Sequence, residues 1–327
     1  MTTPSPAPEL GHRPTSAILK LVVALGAVSL APIFIRLSEM ELSANATVLN
    51  RLLVFLLVFG LGQGISSQLQ PAEAGAEPPP PPTLTQWVLL GAVGGISIAS
   101  LVLWAMSLVY TTVAKSMLLN NLTPLFTSVG AFLFLGQRFD RRFLVGMAIA
   151  LAGALYLGFE DLGSSEGLLL GDLYATLSAV FLGIYFLLVE QLRKRFSATT
   201  ILLWRCGVGS ALLLPWVLAH GEQVLPTTVT ACLAVLGLGL VSEGLGQRLL
   251  ANSMAELSSS FVSLFLLLEP VVSALLAWAI FGEALGQSTW IGFGLVLAGI
   301  YLAQSSSSAT QADGVGETAL VLDGEAV

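Results

Sequence analysis

The sequence predicts an all-α integral membrane protein with ten transmembrane helices, arranged as two inverted five-helix repeats. Three observations lead to this fold class. Only 10% of the 327 residues are charged and 55% are hydrophobic, whereas soluble domains carry about 25% charged residues. Ten apolar runs have about the length of a bilayer, and the second half of the chain repeats the first. So few charges cannot cover a globular surface in water, and we therefore expect the exterior to face lipid.

A spanning helix needs about 17–25 mainly apolar residues. The runs of this length are 17–36, 44–64, 86–109, 114–135, 143–159, 169–191, 198–219, 228–250, 258–281 and 287–304. Each is predicted to be a helix, because an open chain can satisfy its backbone hydrogen bonds in lipid only in that form. The first run is predicted to be a retained helix rather than a signal peptide, because no convincing cleavage site follows it and further spans do.

The sequence divides into two units, residues 16–159 and 169–304. Three polar segments lie at the two ends of the chain and inside the first unit. Residues 1–15 are predicted to be a cytoplasmic tail. Residues 68–83 contain five consecutive prolines and are predicted to be a semi-rigid linker inside the first unit. Residues 305–327 are rich in serine and then acidic, which favours a disordered tail.

The distribution of charge predicts the orientation of the chain. With a cytoplasmic N-terminus, the inner ends of the spans carry Arg13, Lys20, Arg138, Arg141, Arg142, Arg193, Lys194 and Arg195. The outer loops carry Glu160, Asp161, Glu166 and Glu222. Basic residues favour the cytoplasmic side, so both termini are expected to be cytoplasmic in a multi-pass protein of the cell membrane. The partners expected are the bilayer and a small-molecule substrate; no basic patch is large enough for nucleic acid, and a homodimer remains open.

An internal repeat carries more information than any single motif. Residues 121–136 align without gaps with residues 267–282, which places Pro124 over Pro270 at an offset of 146 (270 − 124). Residues 43–51 align with 197–205, with Arg51 over Arg205, at an offset of 154 (205 − 51). The linker, which the second unit lacks, accounts for the difference. Because five helices are an odd number, the second unit enters the membrane from the opposite side, which is typical of secondary transporters.

The end of each unit carries a recognisable ordered pattern. The second copy reads Leu268-Glu269-Pro270, then Gly282-Glu283, Gly292 and Ala298-Gly299, and the first reads Leu122-Thr123-Pro124, then Gly136-Gln137, Gly146 and Ala152-Gly153. Over about residues 16–304 the chain resembles the EamA-type branch of the drug/metabolite transporter superfamily. The resemblance implies ten helices, two such units, and export or exchange of small metabolites such as amino acids. Gln137 departs from the family glutamate, which places in doubt an essential carboxylate at that position.

We therefore expect a secondary transporter that moves an amino acid-like or drug-like metabolite across the plasma membrane by alternating access, as an exporter. An integral-membrane enzyme, a channel and a lipid scramblase are the alternatives. The two histidines lie in the tail and in a loop, and the sequence shows no phosphate-binding loop, nucleophile elbow or metal-ligand spacing. No enzymatic activity, cofactor or metal is expected.

Charged residues inside a bilayer are costly and are by default functional hypotheses. Arg51 and Arg205 lie within predicted spans at equivalent repeat positions. Each needs an acceptor, and three readings stay open: a structural partner, a substrate or gate, and a lipid phosphate reached by snorkelling. Glu243 and Glu269 are the most deeply embedded acids. Glu269 is predicted either to change partners during transport or to pair with Arg205 or Arg248 as structural glue.

Polar and kinked positions complete the candidate site. Pro124 and Pro270 each remove a backbone donor and are predicted to kink their helices. Lys115, Asn120 and Asn121 start or line the fourth span, where the second copy is apolar, so an asymmetric cavity is predicted. Trp104 is a candidate for an aromatic wall of that cavity, and membership of an interfacial aromatic belt is its alternative.

Overall fold

The protein is described by a computed structural model over residues 15–63, 81–111, 113–159, 169–281 and 287–309. Within these ranges the chain is helical and contains no strand. Six helical stretches are long and apolar enough to cross a membrane, and three shorter apolar helices accompany them. The predicted all-helical membrane class is therefore confirmed.

The described residues form fourteen α-helical segments. They are α1 (Thr15–Ser29), α2 (Ala31–Ser38), α3 (Ala44–Phe55), α4 (Leu84–Tyr110), α5 (Val113–Asn120), α6 (Thr123–Leu135), α7 (Arg141–Phe159), α8 (Leu169–Arg193), α9 (Ala198–Ala219), α10 (Val229–Gly237), α11 (Arg248–Ser253), α12 (Ser259–Phe265), α13 (Glu269–Phe281) and α14 (Gln287–Gln304). A π-helical turn, Leu56–Gly60, extends α3, and a longer π-helical stretch, Leu238–Gln247, joins α10 to α11.

Five predicted spans break or change helical geometry along their length. A turn at Leu30 separates α1 from α2, and a turn at 121–122 separates α5 from α6. The second and eighth spans contain the π-helical residues, and a 3₁₀ segment, Leu266–Leu268, joins α12 to α13. Pro32 and Pro124 stand in the first turn of α2 and α6, where a helix has no use for the missing N–H. Pro270 is likewise the second residue of α13. Pro124 and Pro270, which the sequence predicts to kink their helices, thus each stand in the first turn of a helical segment.

Small residues let the long helices approach one another closely. At Gly299 on α14 an added Cβ would lie 2.4 Å from the backbone nitrogen of Ala150, and at Gly146 on α7 it would lie 2.6 Å from the carbonyl oxygen of Gly299. Such contacts are the usual means by which membrane helices pack without a hydrophobic driving force. Large apolar side chains such as Trp278, Trp290 and Tyr301 remain exposed on the outside, as expected of a surface in contact with lipid.

The predicted polar segments fall mostly outside the described residues. Of the linker 68–83, only 81–83 is described, where Thr83 and Gln86 form a capping box that starts α4. Residues 305–309 of the predicted acidic tail are folded, because Ser306 Oγ donates to Asp140 Oδ1 at 2.7 Å. Residues 1–14 and 310–327 lie outside the described part of the chain.

Candidate functional site

A buried carboxylate lies where two arginines from distant parts of the chain converge. Glu243 stands in the middle of the π-helical stretch 238–247, and its side chain is fully buried. Arg51 on α3 donates from Nε to Glu243 Oε2 at 2.7 Å, and its Nη2 lies 2.6 Å from the same oxygen. Arg205 on α9 pairs through Nη1 with Glu243 Oε1. We call Arg51, Arg205 and Glu243 the central ion cluster.

Arg205 has further partners on its other side. Its Nε donates to Ser97 Oγ on α4 at 2.8 Å. Its guanidinium carbon lies 5.2 Å from the ring centroid of Tyr185 on α8, a cation–π arrangement. The thiol of Cys206 lies 3.9 Å from Glu243 Oε1. The arginine is thus held from α4, α8 and the π-helical stretch together.

The two arginines make reciprocal contacts between the halves of the chain. Arg51 and Arg205 are 154 residues apart, the offset of the first alignment block, and Ser97 and Glu243 are 146 apart (243 − 97), the offset of the second. Arg51, in the first half, donates its Nε–H to Glu243 in the second half, and Arg205, in the second half, donates its Nε–H to Ser97 in the first. The two acceptors are equivalent positions of the repeat, and so are the two donors. One acceptor is a carboxylate and the other is a hydroxyl.

Glycines bring the helices that carry the cluster into backbone contact. A Cβ added at Gly94 on α4 would lie 2.5 Å from Val208 Cβ on α9, and one added at Gly239 would lie 2.4 Å from Val54 Cγ1 on α3. Val54 and Val208 are again 154 residues apart. The π-helical geometry beside Gly239 widens the turn that presents Glu243, and such stretches are frequent at functional sites.

The cluster holds two cationic groups and one carboxylate. The side chains of Arg51 and Arg205 are 19% and 14% exposed, so neither is fully enclosed by the described residues. Glu269 begins α13, is partly buried, and interacts electrostatically with Arg51. Within the described residues Glu269 makes no hydrogen bond and no ion pair. The arrangement can hold a carboxylate or another anion, and Glu269 can alter its net charge.

The other predicted residues surround the break between α5 and α6. Asn120 ends α5, where its carbonyl oxygen accepts from Thr123 Oγ1 at 2.7 Å and its Oδ1 lies 3.5 Å from Ser178 Oγ on α8. Asn121 forms the turn itself, and Trp104 lies half-buried on α4. Lys115 lies on α5, and its side chain is outside the described part. Among the described side chains, those of Asn120, Asn121 and Trp104 make no contact with the central ion cluster.

Sequence reasoning missed Ser97 and Tyr185, because neither carries a charge. The offset of 146 pointed to Ser97 as the counterpart of Glu243, which is the signal that would have identified it. The proposed pairing of Glu269 with Arg205 or Arg248 is not observed. Arg205 forms its ion pair with Glu243 instead, and the guanidinium of Arg248 lies over the ring of Phe59.

A second buried acid closes the end of the bundle that carries most basic residues. Glu190 on α8 is 3% exposed. It accepts from Gln137 Nε2 at 2.7 Å and from the backbone N–H of Ser259 at 2.8 Å. These bonds tie the end of α6, the helix α8 and the start of α12 together.

At the opposite end, loops of the two halves bind each other. Glu41 accepts from the backbone N–H of Thr227 at 2.5 Å and of Thr228 at 3.0 Å, and from both threonine hydroxyls. These donors, the hydroxyls first, lower the pKa of Glu41 to about 2. Ser43 and Asn45 both donate to Glu222.

Across the described residues, no group of three or more His, Cys, Asp or Glu side chains is placed to hold a metal ion.

Both halves of the chain are similar to the same known protein family. The profile of the EamA-like transporter family matches residues 15–159 and again residues 169–304. An uncharacterized transporter from Archaeoglobus fulgidus is 28% identical over 193 residues, which are 59% of this chain and 67% of that protein. A probable terminal-alkyne amino-acid exporter from Streptantibioticus cattleyicolor is 26% identical over 216 residues, which are 65% of this chain and 71% of that protein. One protein of known crystal structure has a TM-score of 0.72 at 18% identity, covering 89% of this chain and 98% of its own, and this likeness shows the fold.

Proposed function

This chain belongs to the EamA-like transporter family, and from that premise we propose that it is a secondary transporter. It exports a small amino acid-like or drug-like metabolite across the plasma membrane by alternating access. Ten membrane-crossing helices form two inverted five-helix units, residues 16–159 and 169–304, with both termini in the cytoplasm. The exporter direction takes support from the relative named as a probable amino-acid exporter.

The reciprocal contact of Arg51 with Glu243 and of Arg205 with Ser97 supports this function most directly. Each bond joins one unit to the other, at positions that the two sequence offsets make equivalent. In transporters built from inverted repeats, the substrate site lies near the midplane where the repeats meet, and the repeats rock about it. The central ion cluster fits such a meeting point, since its members lie on α3, α9 and the π-helical stretch, and its neighbours Ser97 and Tyr185 lie on α4 and α8.

The charges of the cluster suggest how a substrate is recognised. Two guanidinium groups share one carboxylate, so a substrate carboxylate competes with Glu243 for Arg51 or Arg205, and guanidinium forks suit carboxylates well. Displacing Glu243 from Arg51 loosens a bond between the units, which links substrate binding to their relative motion. Glu269 supplies a second acid whose protonation state sets the net charge facing Arg51.

The broken helices give the site its polar lining. Asn120 and Asn121 lie at the break before α6, and Glu269 lies at the break before α13. Breaks of this kind expose backbone groups only where protein or a water-filled cavity surrounds them. Lys115 and Trp104 stay predictions for the wall of the same cavity.

Counterflow in proteoliposomes tests the proposed function. Purified protein is reconstituted with a labelled amino acid outside and excess unlabelled amino acid inside, and candidate substrates are screened first by thermal shift. A carrier gives saturable uptake that internal substrate accelerates. Non-saturable flux without acceleration indicates a channel and contradicts the proposal, as does the absence of transport for every ligand that stabilises the protein.

A further inference from the structure

A crevice opens between the π-helical turn after α3 and the last turns of the eighth span. It encloses about 160 Å³, and its walls include Phe59, Gly244, Leu245, Arg248, Leu249 and Asn252. An added Cβ at Gly244 would lie 2.6 Å from the ring of Phe59, so the glycine lets the ring close one side of the crevice. None of these residues belongs to the central ion cluster.

Arg248 is the cation of this crevice, and it has no polar acceptor among the described residues. Its guanidinium carbon lies 5.0 Å from the centroid of the Phe59 ring, and it makes no hydrogen bond or ion pair there. By contrast, Arg51 and Arg205 reach Glu243, and Arg193 donates to two backbone carbonyls. An arginine at membrane depth needs an anionic or carbonyl partner. The side-chain amide of Asn252, one turn further along α11, has no hydrogen-bond partner in the described structure either.

We infer from two exposed leucines beside it that the crevice opens on the side that faces lipid. Leu240 and Leu245 on the same side of this span are 38% and 46% exposed, as expected of side chains that contact acyl chains. Arg248 stands five residues before the end of α11 (253 − 248), which is about 7.5 Å along a helix. From that depth an arginine reaches the level of the headgroups by extending its side chain.

The charge around this end of the bundle also favours an anion. The turn after α8 carries exposed Lys194 and Arg195, and Arg193 contacts the carbonyl of Ala251, one turn from Arg248. Basic residues beside a membrane surface attract anionic lipids.

We propose that this crevice binds the phosphate of an anionic phospholipid from the leaflet at that end of the bundle. Arg248 pairs with the phosphate, the Asn252 amide donates a further hydrogen bond, and Leu245 and Leu249 contact the first part of an acyl chain. The site is separate from the transport pathway, so it does not depend on which solute is carried. Its occupancy would link the π-helical stretch that bears Glu243 to the composition of the membrane.

Native mass spectrometry of the full chain tests this site, after reconstitution in phosphatidylcholine nanodiscs with and without phosphatidylglycerol. The wild type should retain one phosphatidylglycerol after release from the nanodisc, and Arg248→Gln should reduce that retention at least about tenfold, because a charge-assisted pair is lost. Arg141→Gln is the matched control, since it removes an exposed arginine at the start of α7. Equal retention by the two variants would overturn the proposal.

A second measurement needs no variant. Phosphatidylglycerol with a photoreactive acyl chain should label the peptide that contains Leu245 and Leu249 in the wild type. Excess unlabelled phosphatidylglycerol should suppress the label, whereas phosphatidylcholine and inorganic phosphate should not. Suppression by inorganic phosphate alone would assign the crevice to a soluble anion and overturn the lipid assignment, and so would labelling spread evenly over all exposed helices.

Discussion

Ser97 and Glu243 are counterparts in the two halves of the chain, and each accepts the Nε–H of an arginine from the opposite half. Arg205 donates to Ser97 at 2.8 Å and Arg51 donates to Glu243 at 2.7 Å. The geometry is thus close to symmetric while the chemistry is not, because only one acceptor carries a charge. That single carboxylate also binds Arg205 and therefore holds both arginines at once.

Exchanging the two acceptors tests whether these positions are equivalent. Glu243→Ser alone leaves both arginines without a carboxylate, and removing one partner of a buried pair costs about 3–5 kcal/mol. Adding Ser97→Glu returns a carboxylate to within reach of Arg205, so the double variant should recover much of the lost stability. Thermal unfolding in detergent measures both, and a double variant as unstable as Glu243→Ser would contradict the equivalence.

The two arginines should differ in how much stability they contribute. Arg205 contacts Glu243, Ser97 and the Tyr185 ring, whereas the described contacts of Arg51 are to Glu243. Arg205→Ala should therefore lower the unfolding free energy by about 3–5 kcal/mol, and Arg51→Ala by about 1.5–3 kcal/mol. Arg51→Lys keeps the charge and serves as control. If Arg51→Ala unfolds like the wild type yet abolishes counterflow, its role lies wholly in the substrate site.

The charged members of the central ion cluster could be predicted individually, because a charge within an apolar run is costly and therefore conspicuous. Their convergence on Glu243 could not, since it depends on the crossing and rotation of α3 and α9 about the π-helical stretch. A π-helical turn adds one residue to each turn and leaves no signature in composition. Ser97 could not be recognised as a site residue from its type, because it carries no charge. The repeat offset of 146 nevertheless pairs it with Glu243.

The helices were predictable from length and apolarity, and their interruptions were only partly so. Pro124 and Pro270 each stand in the first turn of a helical segment, but whether a proline bends a helix or begins a new one depends on the residues packed around it. The break before α13 also passes through a short 3₁₀ segment, Leu266–Leu268, in a run of identical leucines. Nothing local in such a run indicates where the helical geometry changes.

Glu269→Gln should impair transport without weakening the fold. Within the described residues this carboxylate makes no hydrogen bond, so its replacement by an isosteric amide should change the unfolding free energy by less than about 0.5 kcal/mol. Counterflow should fall and lose its dependence on pH, because the acid facing Arg51 no longer titrates. Glu256→Gln is the control, since that acid pairs with Lys20 at the surface. Normal, pH-dependent transport by Glu269→Gln would show that Glu269 has no part in coupling.

Pro270→Ala addresses the break itself. Alanine restores an N–H to the first turn of α13 and favours one continuous helix through Leu266–Leu268. We expect thermal stability to be unchanged or slightly raised and the maximum rate of counterflow to fall, because the junction beside Glu269 becomes stiffer. Wild-type rates in liposomes together with raised stability would indicate that the break serves packing and not motion.

Two adjacent glycines on α4 provide a matched pair. A Cβ at Gly94 would lie 2.5 Å from Val208 Cβ, whereas one at Gly95 meets nothing within 4 Å. Gly94→Ala should force α4 away from α9 and destabilise the protein by about 1–3 kcal/mol. Gly95→Ala should be neutral or stabilising by up to about 1 kcal/mol, because alanine favours the helix. Equal melting temperatures for the two variants would show that α4 and α9 are not in close contact.

The loop acid Glu41 should make stability depend on pH in the acid range. Its pKa is lowered from 4.5 to about 2 by the hydroxyl and backbone donors of Thr227 and Thr228. A lowered folded-state pKa means that the stabilisation is complete above the ordinary value and is lost as the pH falls toward 2. Glu41→Gln should therefore melt a few degrees below the wild type near neutral pH, and the two should converge on acidification.

Glu39→Gln is the control for this prediction. Partial desolvation raises the pKa of Glu39, so its carboxylate charge does not stabilise the fold, and the substitution should not lower the melting temperature at neutral pH. A constant gap between wild type and Glu41→Gln across the titration would mean that the carboxylate charge does not hold these loops together.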